Sequence, residues 1–454
     1  MKLKQLTKLL FAVSIVFILA SCNSSDSDYS YDLSADAQIY SFAVSAKMTN
    51  AIDSINFPIL KKTKFAIDQS NQYIYNPDTL PYGTRLTKYL ANIGFSSFSS
   101  PSKAQLKYLD ISNNDSIVDW NTSDSIDFST KGYPKIIITA QNGKTHREYD
   151  IDFRIYDVDQ DIITWDKINT FDQTSIKTQR TLFYNNTFYT FSIDNDNSVY
   201  LRKAPRNTQV YGTKQPIGKA LNLESITLFN GNFYALDNNN QSYSSPASDG
   251  VNWTSRVANV TNILGILPNI YPDIQPKHGL LVIANNKFGT TKDMLTIEPV
   301  NNITIPTDFP GSGYSSVTSF DKNDPNKNIL TITGGKVGSN YVNITRYFLV
   351  KSGKIEMIAN QPHSTFEAKQ GIVSFLYNNY MYALTGNQFY KSTSLGANWF
   401  KASAKEDLDT NIPKAYGQSV IVDNENYIWI FGGVADSGTN PIQQVWRGRL
   451  NKYN

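Results

Sequence analysis

Cysteine and histidine are scarce in this chain of 454 residues, which has only Cys22 and His146, His278 and His363. One cysteine cannot form a disulfide within the chain or supply a multi-thiolate zinc site. A copper oxidase of the galactose oxidase kind needs a cysteine-linked tyrosine and histidine ligands, so this class is disfavoured too. We expect no catalytic metal and no cofactor.

An excess of charge of one sign is also missing. The chain has 42 Lys and Arg against 39 Asp and Glu, but three of the lysines lie in residues 1–21, which contain no acidic residue. From Cys22 onward the charges therefore cancel. Because a neutral chain exerts no long-range attraction on nucleic acid, we expect no nucleic-acid partner.

Long apolar runs are absent except at residues 9–20, which follow three lysines. This run is shorter than the roughly 20 residues of a membrane-spanning helix. The next residues, Leu19-Ala20-Ser21-Cys22, match the lipobox of bacterial lipoproteins. Residues 1–21 are thus predicted to be a lipoprotein signal peptide, with lipidation at Cys22.

The residues after Cys22 bear on location. Asn23, rather than Asp, follows the cysteine, so the usual inner-membrane retention signal is not present. Residues 22–28 form a polar, acidic segment that resembles surface-export signals of Bacteroidales lipoproteins, although it also suits a plain flexible tether. We expect a lipid anchor in the outer membrane, at the cell surface, with the periplasmic face as the alternative.

The composition favours an all-β fold, because tyrosine and phenylalanine are abundant at 28 and 24 residues. Residues 29–156 are interpreted as one β unit. Within it, residues 135–140 and 146–156 predict two strands joined at Asn142-Gly143, a pair suited to a type I′ hairpin turn. The length suits an immunoglobulin-like sandwich, and residues 157–161 form a linker.

The remainder of the chain, residues 162–454, is repetitive. Each repeat contains an aromatic or apolar residue within a β-rich run, and this residue marks the position of the repeat. The six marker residues are Phe188, Phe233, Leu281, Ile329, Met381 and Ile428. Their spacing of 45 to 52 residues is typical of a β-propeller, whose four-stranded blades take roughly 40 to 50 residues. Six markers predict six blades.

Local motifs agree with a propeller. Residues 392–399 and 248–253 resemble the Asp-box, in degenerate form, and each ends in a tryptophan that should open an outermost strand. Gly334-Gly335 and Gly432-Gly433 end apolar strands, as the double glycines of kelch blades do. We interpret all four as structural turns.

The two ends of the repeat region fit together. Residues 162–168 look like an outermost strand but precede the first repeat, while the last unit, ending at Leu450, lacks such a strand. We expect residues 162–168 to complete that last blade, because an unclosed ring would leave sheet edges exposed.

Three segments carry a resemblance to a known family: residues 36–42, 80–84 and 445–451. They resemble an uncharacterised family of Bacteroidales lipoproteins that pairs a small N-terminal β-domain with a propeller. The resemblance covers nearly all of the chain after Cys22. It implies location and architecture, and it implies no activity.

Enzymatic chemistry was weighed against binding. A sialidase needs three arginines around a carboxylate, a tyrosine–glutamate nucleophile and an aspartic acid. The predicted propeller has seven arginines, namely Arg180, Arg202, Arg206, Arg256, Arg346, Arg447 and Arg449. The R-I-P signature is absent, and Arg154-Ile155-Tyr156 matches it only in part. No P-loop, HExxH or nucleophile elbow occurs.

Two acidic clusters and one modification motif complete the candidates. Asp157, Asp159 and Asp161 could coordinate Ca²⁺, but a solvated hinge is favoured, and residues 194–197 are better explained as a hairpin tip. The pattern Asp-Ser/Thr-aliphatic resembles Bacteroidales O-glycosylation sites, with ordinary turns as the alternative. It marks Ser54, Thr79, Ser116 and Ser125.

We therefore expect a lipid-anchored surface protein that binds a glycan or a protein partner through the face or axial mouth of the propeller. The alternatives are a glycan-active enzyme, such as a sialidase-like propeller glycosidase, and a structural subunit of a surface complex. An arginine triad or a carboxylate pair at one mouth would favour the enzyme, and an aromatic patch would favour binding.

Cys22→Ala should abolish membrane anchoring, because acyl chains contribute about 0.8 kcal/mol per buried methylene and Cys22 is the predicted attachment point. The variant should accumulate as an uncleaved or soluble precursor, measured by fractionation and by the mass of the N-terminal peptide. Normal processing and outer-membrane fractionation of Cys22→Ala would contradict the assignment.

Overall fold

The computed structural model describes residues 32–453, except residues 47–52, 88, 171–175, 274, 276, 322, 325–326, 364 and 436–440. For residues 46, 53–57, 169 and 170 it describes the backbone alone. Contacts between Cα atoms divide the chain into two units, Met1–Asp159 and Gln160–Asn454. This division falls inside the expected linker, residues 157–161.

Unit 1 is mostly β-structure. Its elements are β1 (Ser41–Ala46), α1 (Asp53–Lys62), β2 (Ala66–Asp68), β3 (Tyr73–Tyr75), β4 (Tyr89–Gly94), β5 (Lys103–Leu109), β6 (Asp115–Asp119), β7 (Lys135–Thr139) and β8 (His146–Asp152). A six-stranded sheet has the order β2-β3-β8-β7-β5-β6, and β1 pairs with β4 in a second sheet. β3 and β8 run parallel, whereas the other neighbours run antiparallel.

Both sheets contribute to one hydrophobic core. Phe42 on β1 and Ala91 on β4 are buried in the same cluster as Ile136 on β7 and Tyr149 on β8. The Tyr149 hydroxyl donates to Oε1 of Gln69 at 2.7 Å, so its polar end is satisfied although the ring is buried. The period-two pattern in residues 146–152 thus places Tyr149 on the core face.

Two local features of unit 1 differ from the sequence expectations. The β-rich composition predicts no helix, yet α1 occurs. Asp53 at its start and Lys61 and Lys62 in its last turn are helix-end signals, but Pro58 inside the segment argues against a helix.

No helix among the described residues is both long and apolar enough to cross a bilayer.

The hairpin of β7 and β8 forms with Thr139 opposite His146, but its turn is not type I′. That turn needs positive φ at both central residues, and here Gly143 alone has it, at 68°. The Asn142 side chain instead accepts hydrogen bonds from the N–H groups of Lys144 and Thr145, at 2.9 and 3.0 Å. This side-chain bonding stabilises a longer loop.

Unit 2 contains six four-stranded antiparallel sheets among its described residues, which we number 1 to 6. Sheet 1 comprises β10 (Ile176–Tyr184), β11 (Thr187–Asp194), β12 (Val199–Pro205) and β13 (Gln215–Ile217). Sheet 2 comprises β14 (Leu221–Phe229), β15 (Asn232–Asp237), β16 (Ser242–Pro246) and β17 (Thr254–Ser255). Sheet 3 comprises β18 (Val260–Leu267), β19 (Gly279–Ala284), β20 (Lys287–Thr291) and β21 (Glu298–Pro299). Sheet 4 comprises β22 (Ser315–Ser319), β23 (Ile329–Thr333), β26 (Thr345–Lys351) and β27 (Lys354–Ala359). Sheet 5 comprises β28 (Val373–Tyr377), β29 (Tyr380–Thr385), β30 (Gln388–Ser392) and β31 (Phe400–Lys401). Sheet 6 comprises β33 (Ser419–Val422), β34 (Ile428–Phe431), β36 (Gln444–Leu450) and β9 (Ile163–Thr170).

Two short strand pairs lie in the connections near sheets 4 and 6. β24 (Lys336–Val337) and β25 (Asn340–Tyr341) form a hairpin after the second strand of sheet 4. β32 (Ala415–Tyr416), before the first strand of sheet 6, pairs with β35 (Val434–Ala435), after its second strand. A 3₁₀ turn, Asn451–Tyr453, follows β36.

Each of the six repeat markers lies in the second strand of a different sheet, namely in β11, β15, β19, β23, β29 or β34. Before β11, β15 and β29, a polar pair forms a tight turn in which both residues have positive φ. Asn185 and Asn186 have φ of 44° and 56°, and Asn378 and Asn379 have 49° and 64°. Asparagine tolerates this conformation, which explains the recurring sequence pattern.

The strand β9 pairs antiparallel with β36, from Ile163 opposite Leu450 to Thr170 opposite Gln444. It occupies the place expected for residues 162–168, as the outermost strand of sheet 6. Trp165 lies opposite Gly448, and a Cβ at residue 448 would approach the indole to 2.6 Å. The Trp165 Nε1–H donates to the carbonyl oxygen of Asp407 at 3.0 Å.

The first strands of the six sheets surround a central axis. In chain order they are β10, β14, β18, β22, β28 and β33, each contacts the next, and β33 contacts β10. A hydrogen bond joins the first and last of them, because the backbone N–H of Thr181 donates to Oγ of Ser419 at 2.9 Å.

A buried cation lies in sheet 4. Arg346 on β26 is 0% exposed, and its Nη2 donates to the backbone oxygen of Asp308 at 2.7 Å and contacts Oδ2 of the same residue at 2.9 Å. The Arg346 Nε and Nη1 atoms have no hydrogen-bond partner among the described residues. Asp308 is thus the counter-charge on which this buried guanidinium depends.

Gly448→Ala should destabilise the protein by about 1–3 kcal/mol, because the new methyl group must displace the Trp165 ring. Gly218→Ala is the matched control, since no atom lies within 4 Å of the position of its Cβ and its φ is not positive. Urea unfolding followed by tryptophan fluorescence measures both. Equal midpoints would contradict the packing of Trp165 on Gly448.

Asp308→Asn should destabilise the protein by about 3 kcal/mol, because it leaves the buried Arg346 guanidinium without a counter-charge. Arg346→Met removes the cation and should cost less, although it breaks the same ion pair. The two free energies of unfolding come from the same urea titration. A milder effect of Asp308→Asn than of Arg346→Met would rule out this role for Asp308.

Candidate functional site

A cavity of about 300 Å³ opens at one end of the axis of unit 2. Its wall is built from first strands and from the connections that carry the two short strand pairs. The lining segments are 176–179, 312–313, 370–371, 416–417, 433–434 and 441–443, together with Glu224, Lys336 and Tyr341. Sheets 1, 2, 4, 5 and 6 all contribute. A ligand in this cavity would contact residues from five of the six sheets at once.

The β24–β25 hairpin forms one side of the rim. Its position is set by backbone hydrogen bonds to the connection before β22, because the Lys336 N–H donates to the Ser312 oxygen at 2.8 Å and the Gly311 N–H donates to the Lys336 oxygen at 2.9 Å. The rim residue Tyr341 pairs with Lys336 in this hairpin. Its aromatic ring is therefore held at the mouth by regular backbone bonding.

The opposite side of the rim depends on glycine. Gly371 has φ of 72°, and a Cβ there would lie 2.6 Å from the backbone nitrogen of Gly417 and 2.7 Å from Cβ of Tyr416. Gly433 has φ of 98°, and its Cβ would lie 2.9 Å from the Tyr416 oxygen. Only glycine permits these approaches, which bring the connections of sheets 5 and 6 together beside Tyr416.

The wall at sheet 1 is fixed by buried side-chain bonds. Nε2 of Gln179 donates to the carbonyl oxygen of Phe431 at 2.8 Å, and the Thr181 hydroxyl donates to Oε1 of Gln179 at 3.0 Å. The amide of Gln179 is thus occupied on both sides. The wall is pre-formed before any ligand arrives, which lowers the entropy cost of binding.

Glu224 lines the cavity and interacts with two residues of other sheets that do not line it. Arg180 on β10 interacts electrostatically with Glu224 on β14 and with Tyr314, the residue before β22. Burial lowers the pKa of the Arg180 guanidinium, and Glu224 opposes this effect. Burial also raises the pKa of Tyr314 to about 12. Its hydroxyl donates to the Ile263 oxygen at 3.2 Å.

The Glu224 side chain forms a hydrogen bond between two sheets. Its Oε2 accepts a hydrogen bond from the N–H of Gly313 at 3.0 Å, which links sheet 2 to the connection before sheet 4. Among the described lining residues, Glu224 is the one carboxylate. Lys177 and Lys336 are the lining cations, and the Lys177 ammonium donates to Oδ1 of Asn197 at 2.8 Å.

Residues 159–454 match the DUF6242 beta propeller domain, and residues 38–153 match the N-terminal domain of the same family, a domain of unknown function. The chain belongs to the DUF6242 family. Unit 2 is therefore a β-propeller, and the expected affiliation with an uncharacterised family that combines an N-terminal domain with a propeller is confirmed.

Solved structures add distant likenesses to this DUF6242 protein. One, described as "Structure of YjhT", is 10% identical with a TM-score of 0.39, over 61% of this chain and 96% of that chain. Another is a structural genomics protein of unknown function from Bacteroides thetaiotaomicron VPI-5482, 11% identical with a TM-score of 0.43, over 82% of this chain and 100% of that chain. No curated protein matches the chain.

The candidate arginines of the DUF6242 propeller do not form one triad in the cavity. Arg206, Arg447 and Arg449 instead surround the Tyr427 ring, with guanidinium carbons 5.6, 4.5 and 4.1 Å from its centroid. Arg206 is paired with Asp423 at 2.6 Å, and Arg447 contacts Asp166 at 3.2 Å. This cluster stabilises the junction of sheets 1 and 6.

A second, wider depression of about 1000 Å³ is lined by turns between first and second strands, including Asn378 and Asn426. Its polar groups are partly used within the protein. Oδ1 of Asn378 accepts hydrogen bonds from the Lys452 ammonium at 2.6 Å and from the Tyr453 hydroxyl at 2.8 Å. The axial cavity is the better candidate because it is more enclosed and is lined by segments of five sheets.

The Asp-box-like segments are structural turns. Ser394, which replaces the usual Asp, accepts the Asn398 N–H at 3.1 Å, and Asp249 accepts the Asn252 N–H at 3.1 Å. Trp399 and Trp253 are buried and precede β31 and β17 directly. The tryptophans serve the core, so they are not available to a ligand.

The acidic candidates do not form a metal centre within the described ranges, where no group of three or more His, Cys, Asp or Glu side chains could hold an ion. Asp157, Asp159 and Asp161 lie around the division between the units. Residues 194–197 form the turn between β11 and β12, and Asp194 is paired there with Lys214.

The modification candidates lie outside the cavity. Cys22 falls outside the described residues, and Ser54 lies in the first turn of α1, where only the backbone is described. Thr79 precedes the bridge of Leu80 with Ile155, and Ser116 is on the edge strand β6; both are half-buried. Ser125 is exposed.

Sequence reasoning missed most cavity residues. Glu224, Tyr341 and Tyr416 line the cavity and carry no motif. The double glycines at 334 and 432 were the available signal, because each begins a connection that forms the rim.

Proposed function

We propose that this protein binds a small carbohydrate in the axial cavity of its propeller. The observation that carries the proposal is the lining, which combines amide side chains, two tyrosine rings and backbone groups of glycines in a concave space of about 300 Å³. Such a volume is at the small end for small-molecule sites. The glutamine residues Gln370 and Gln443 supply donors and acceptors suited to sugar hydroxyls.

Tyr341 and Tyr416 support the same choice. They lie on β25 and β32, in the two short strand pairs at the rim, so a sugar ring that enters the mouth meets an aromatic side chain on either side. The other binding candidate, a protein partner, needs about 800 Å² of surface on each side. The enclosed cavity offers less, and a protein would have to dock on the surrounding face.

A glycan-active enzyme is the second candidate, because Arg180, Glu224 and Tyr314 include the residue types of a tyrosine–glutamate nucleophile beside an arginine. Two observations weigh against it. The pKa of Tyr314 is raised to about 12, the opposite of an activated nucleophile. Glycosidases also use a pair of carboxyl groups, and Glu224 is single among the described lining residues.

The finer architecture is part of the proposal. We infer a six-bladed propeller, since six sheets and their six first strands follow one another around the axis. We infer an immunoglobulin-like sandwich for unit 1, since two sheets share one core. A structural role in a surface complex is the remaining alternative.

Location and modification also stay proposals. The lipobox supports a lipid anchor at Cys22 and an outer-membrane, surface location, with the periplasmic face as alternative. Of the O-glycosylation candidates, the exposed Ser125 is the best placed for a glycosyltransferase. Ser116 and Thr79 are half-buried, which disfavours them.

Tyr416→Ala and Tyr341→Ala should each weaken glycan binding by about 1 kcal/mol, roughly fivefold in Kd, through loss of ring stacking. A glycan array with a hydrolysis readout, applied to the chain starting at residue 23, selects the sugar, and calorimetry measures the variants. Tyr82→Ala, at an exposed tyrosine of unit 1, is the control.

Unchanged affinity in both rim variants would place the binding site elsewhere. Release of a sugar from any array glycan would favour the enzyme instead. An array without any bound glycan would favour the protein-binding or structural alternative.

A further inference from the structure

The axial cavity continues into a smaller space of about 40 Å³ beside Glu224. The two spaces are adjacent, because Glu224, Ser312 and Gly313 line both of them. The other walls of the smaller space come from β14 of sheet 2, β18 of sheet 3 and the connection before sheet 4. We call this space the dimple; its lining is residues 222, 224–225, 261–263 and 311–314.

The size of the dimple limits what it can hold. A space of about 10–15 Å³ accommodates one water molecule, so about 40 Å³ accommodates roughly three non-hydrogen atoms. A second sugar ring is much larger and does not fit. A short substituent on a ring in the axial cavity does fit, because the two spaces meet at Glu224.

Glu224 brings an unused hydrogen-bond acceptor to the boundary of the two spaces. Its Oε2 accepts the Gly313 N–H at 3.0 Å, which fixes the carboxylate, whereas no described residue donates to its Oε1. Glu224 is exposed, so Oε1 is open to a ligand. Because an ionised carboxylate only accepts hydrogen bonds, the matching ligand group is a donor.

The dimple also offers a donor and an apolar wall. Oδ1 of Asn222 accepts the Glu224 N–H at 3.0 Å, and its Nδ2 group has no partner among the described residues. Nδ2 can therefore donate to a ligand oxygen. Ile263 and Tyr314 add apolar surface, since the Tyr314 hydroxyl already donates to the Ile263 oxygen at 3.2 Å. An acceptor, a donor and an apolar wall thus surround one small space.

We infer that the sugar bound in the axial cavity carries an acetamido group and that this group occupies the dimple. The inference rests on the proposed carbohydrate function, and it narrows that function to N-acetylated amino sugars. The acetamido N–H donates to Oε1 of Glu224, its carbonyl oxygen accepts from Nδ2 of Asn222, and its methyl group contacts Ile263. A hydroxyl group at the same ring position would leave the apolar wall without a contact.

The test compares N-acetyl sugars with their parent sugars. The pairs are N-acetylglucosamine with glucose and N-acetylgalactosamine with galactose, and glucosamine serves as a charged probe. Calorimetry on the whole chain from residue 23 should show that at least one N-acetyl sugar binds about 10-fold more tightly than its parent. This is the gain expected from a hydrogen bond to a charged acceptor.

Two variants test the two polar contacts separately. Glu224→Gln keeps an oxygen for the Gly313 N–H but replaces Oε1 with a donor, so it should abolish the preference for the N-acetyl sugar and leave binding of the parent sugar nearly unchanged. Asn222→Asp keeps the oxygen that accepts the Glu224 N–H but lacks the amide donor, so it should reduce the preference. Glu298→Gln, at an exposed carboxylate on β21 outside both spaces, is the matched control.

The outcomes separate the two proposals. Equal binding of each N-acetyl sugar and its parent would overturn the acetamido inference and leave the carbohydrate proposal intact. A preference that both Glu224→Gln and Asn222→Asp retain would do the same. If glucosamine binds most tightly, Glu224 takes an ammonium group and the inference is wrong. If no sugar binds, the carbohydrate proposal itself fails, and the inference fails with it.

Discussion

The pairing of β9 with β36 is the interaction on which the rest of unit 2 depends. It joins a strand that precedes the first sheet to the last strand of the chain, so the six sheets close into a ring. Without it, β36 would be a free edge. The axial cavity exists only because the ring is closed, since sheet 1 and sheet 6 both form its wall.

The walls of the cavity are held by contacts that are independent of any ligand. The Gln179 side chain bonds to the Phe431 oxygen and the backbone N–H of Thr181 bonds to Oγ of Ser419, so sheet 1 is fixed to sheet 6. Glycines at 371 and 433 allow neighbouring connections to touch. Most of the polar groups on the walls are thus satisfied within the protein.

Much of the propeller could be predicted because its signals are local. Two-residue asparagine turns require positive φ, and the β-rich runs after them mark second strands, so residues such as Phe188 and Met381 report the repeat directly. The closing strand was predictable because Trp165 has the environment of an outer strand. The cavity could not be predicted, because Glu224, Tyr341 and Tyr416 are distant in sequence and come together only through ring closure. In unit 1, the helix α1 was not predicted because Pro58 inside it argues against a helix. The turn after β7 differs from type I′ because the Asn142 side chain accepts backbone hydrogen bonds.

The direction of the closing strand has a mechanical consequence. The chain enters unit 2 at the start of β9, so a force that pulls on the N-terminal part of the protein is first borne by this strand. Ile163, the first residue loaded, lies opposite Leu450, and its N–H donates to the Lys405 oxygen at 2.8 Å. Trp165, two residues further, is anchored to Asp407. Tension is thereby passed into sheets 5 and 6 together, and the ring resists being opened one hydrogen bond at a time.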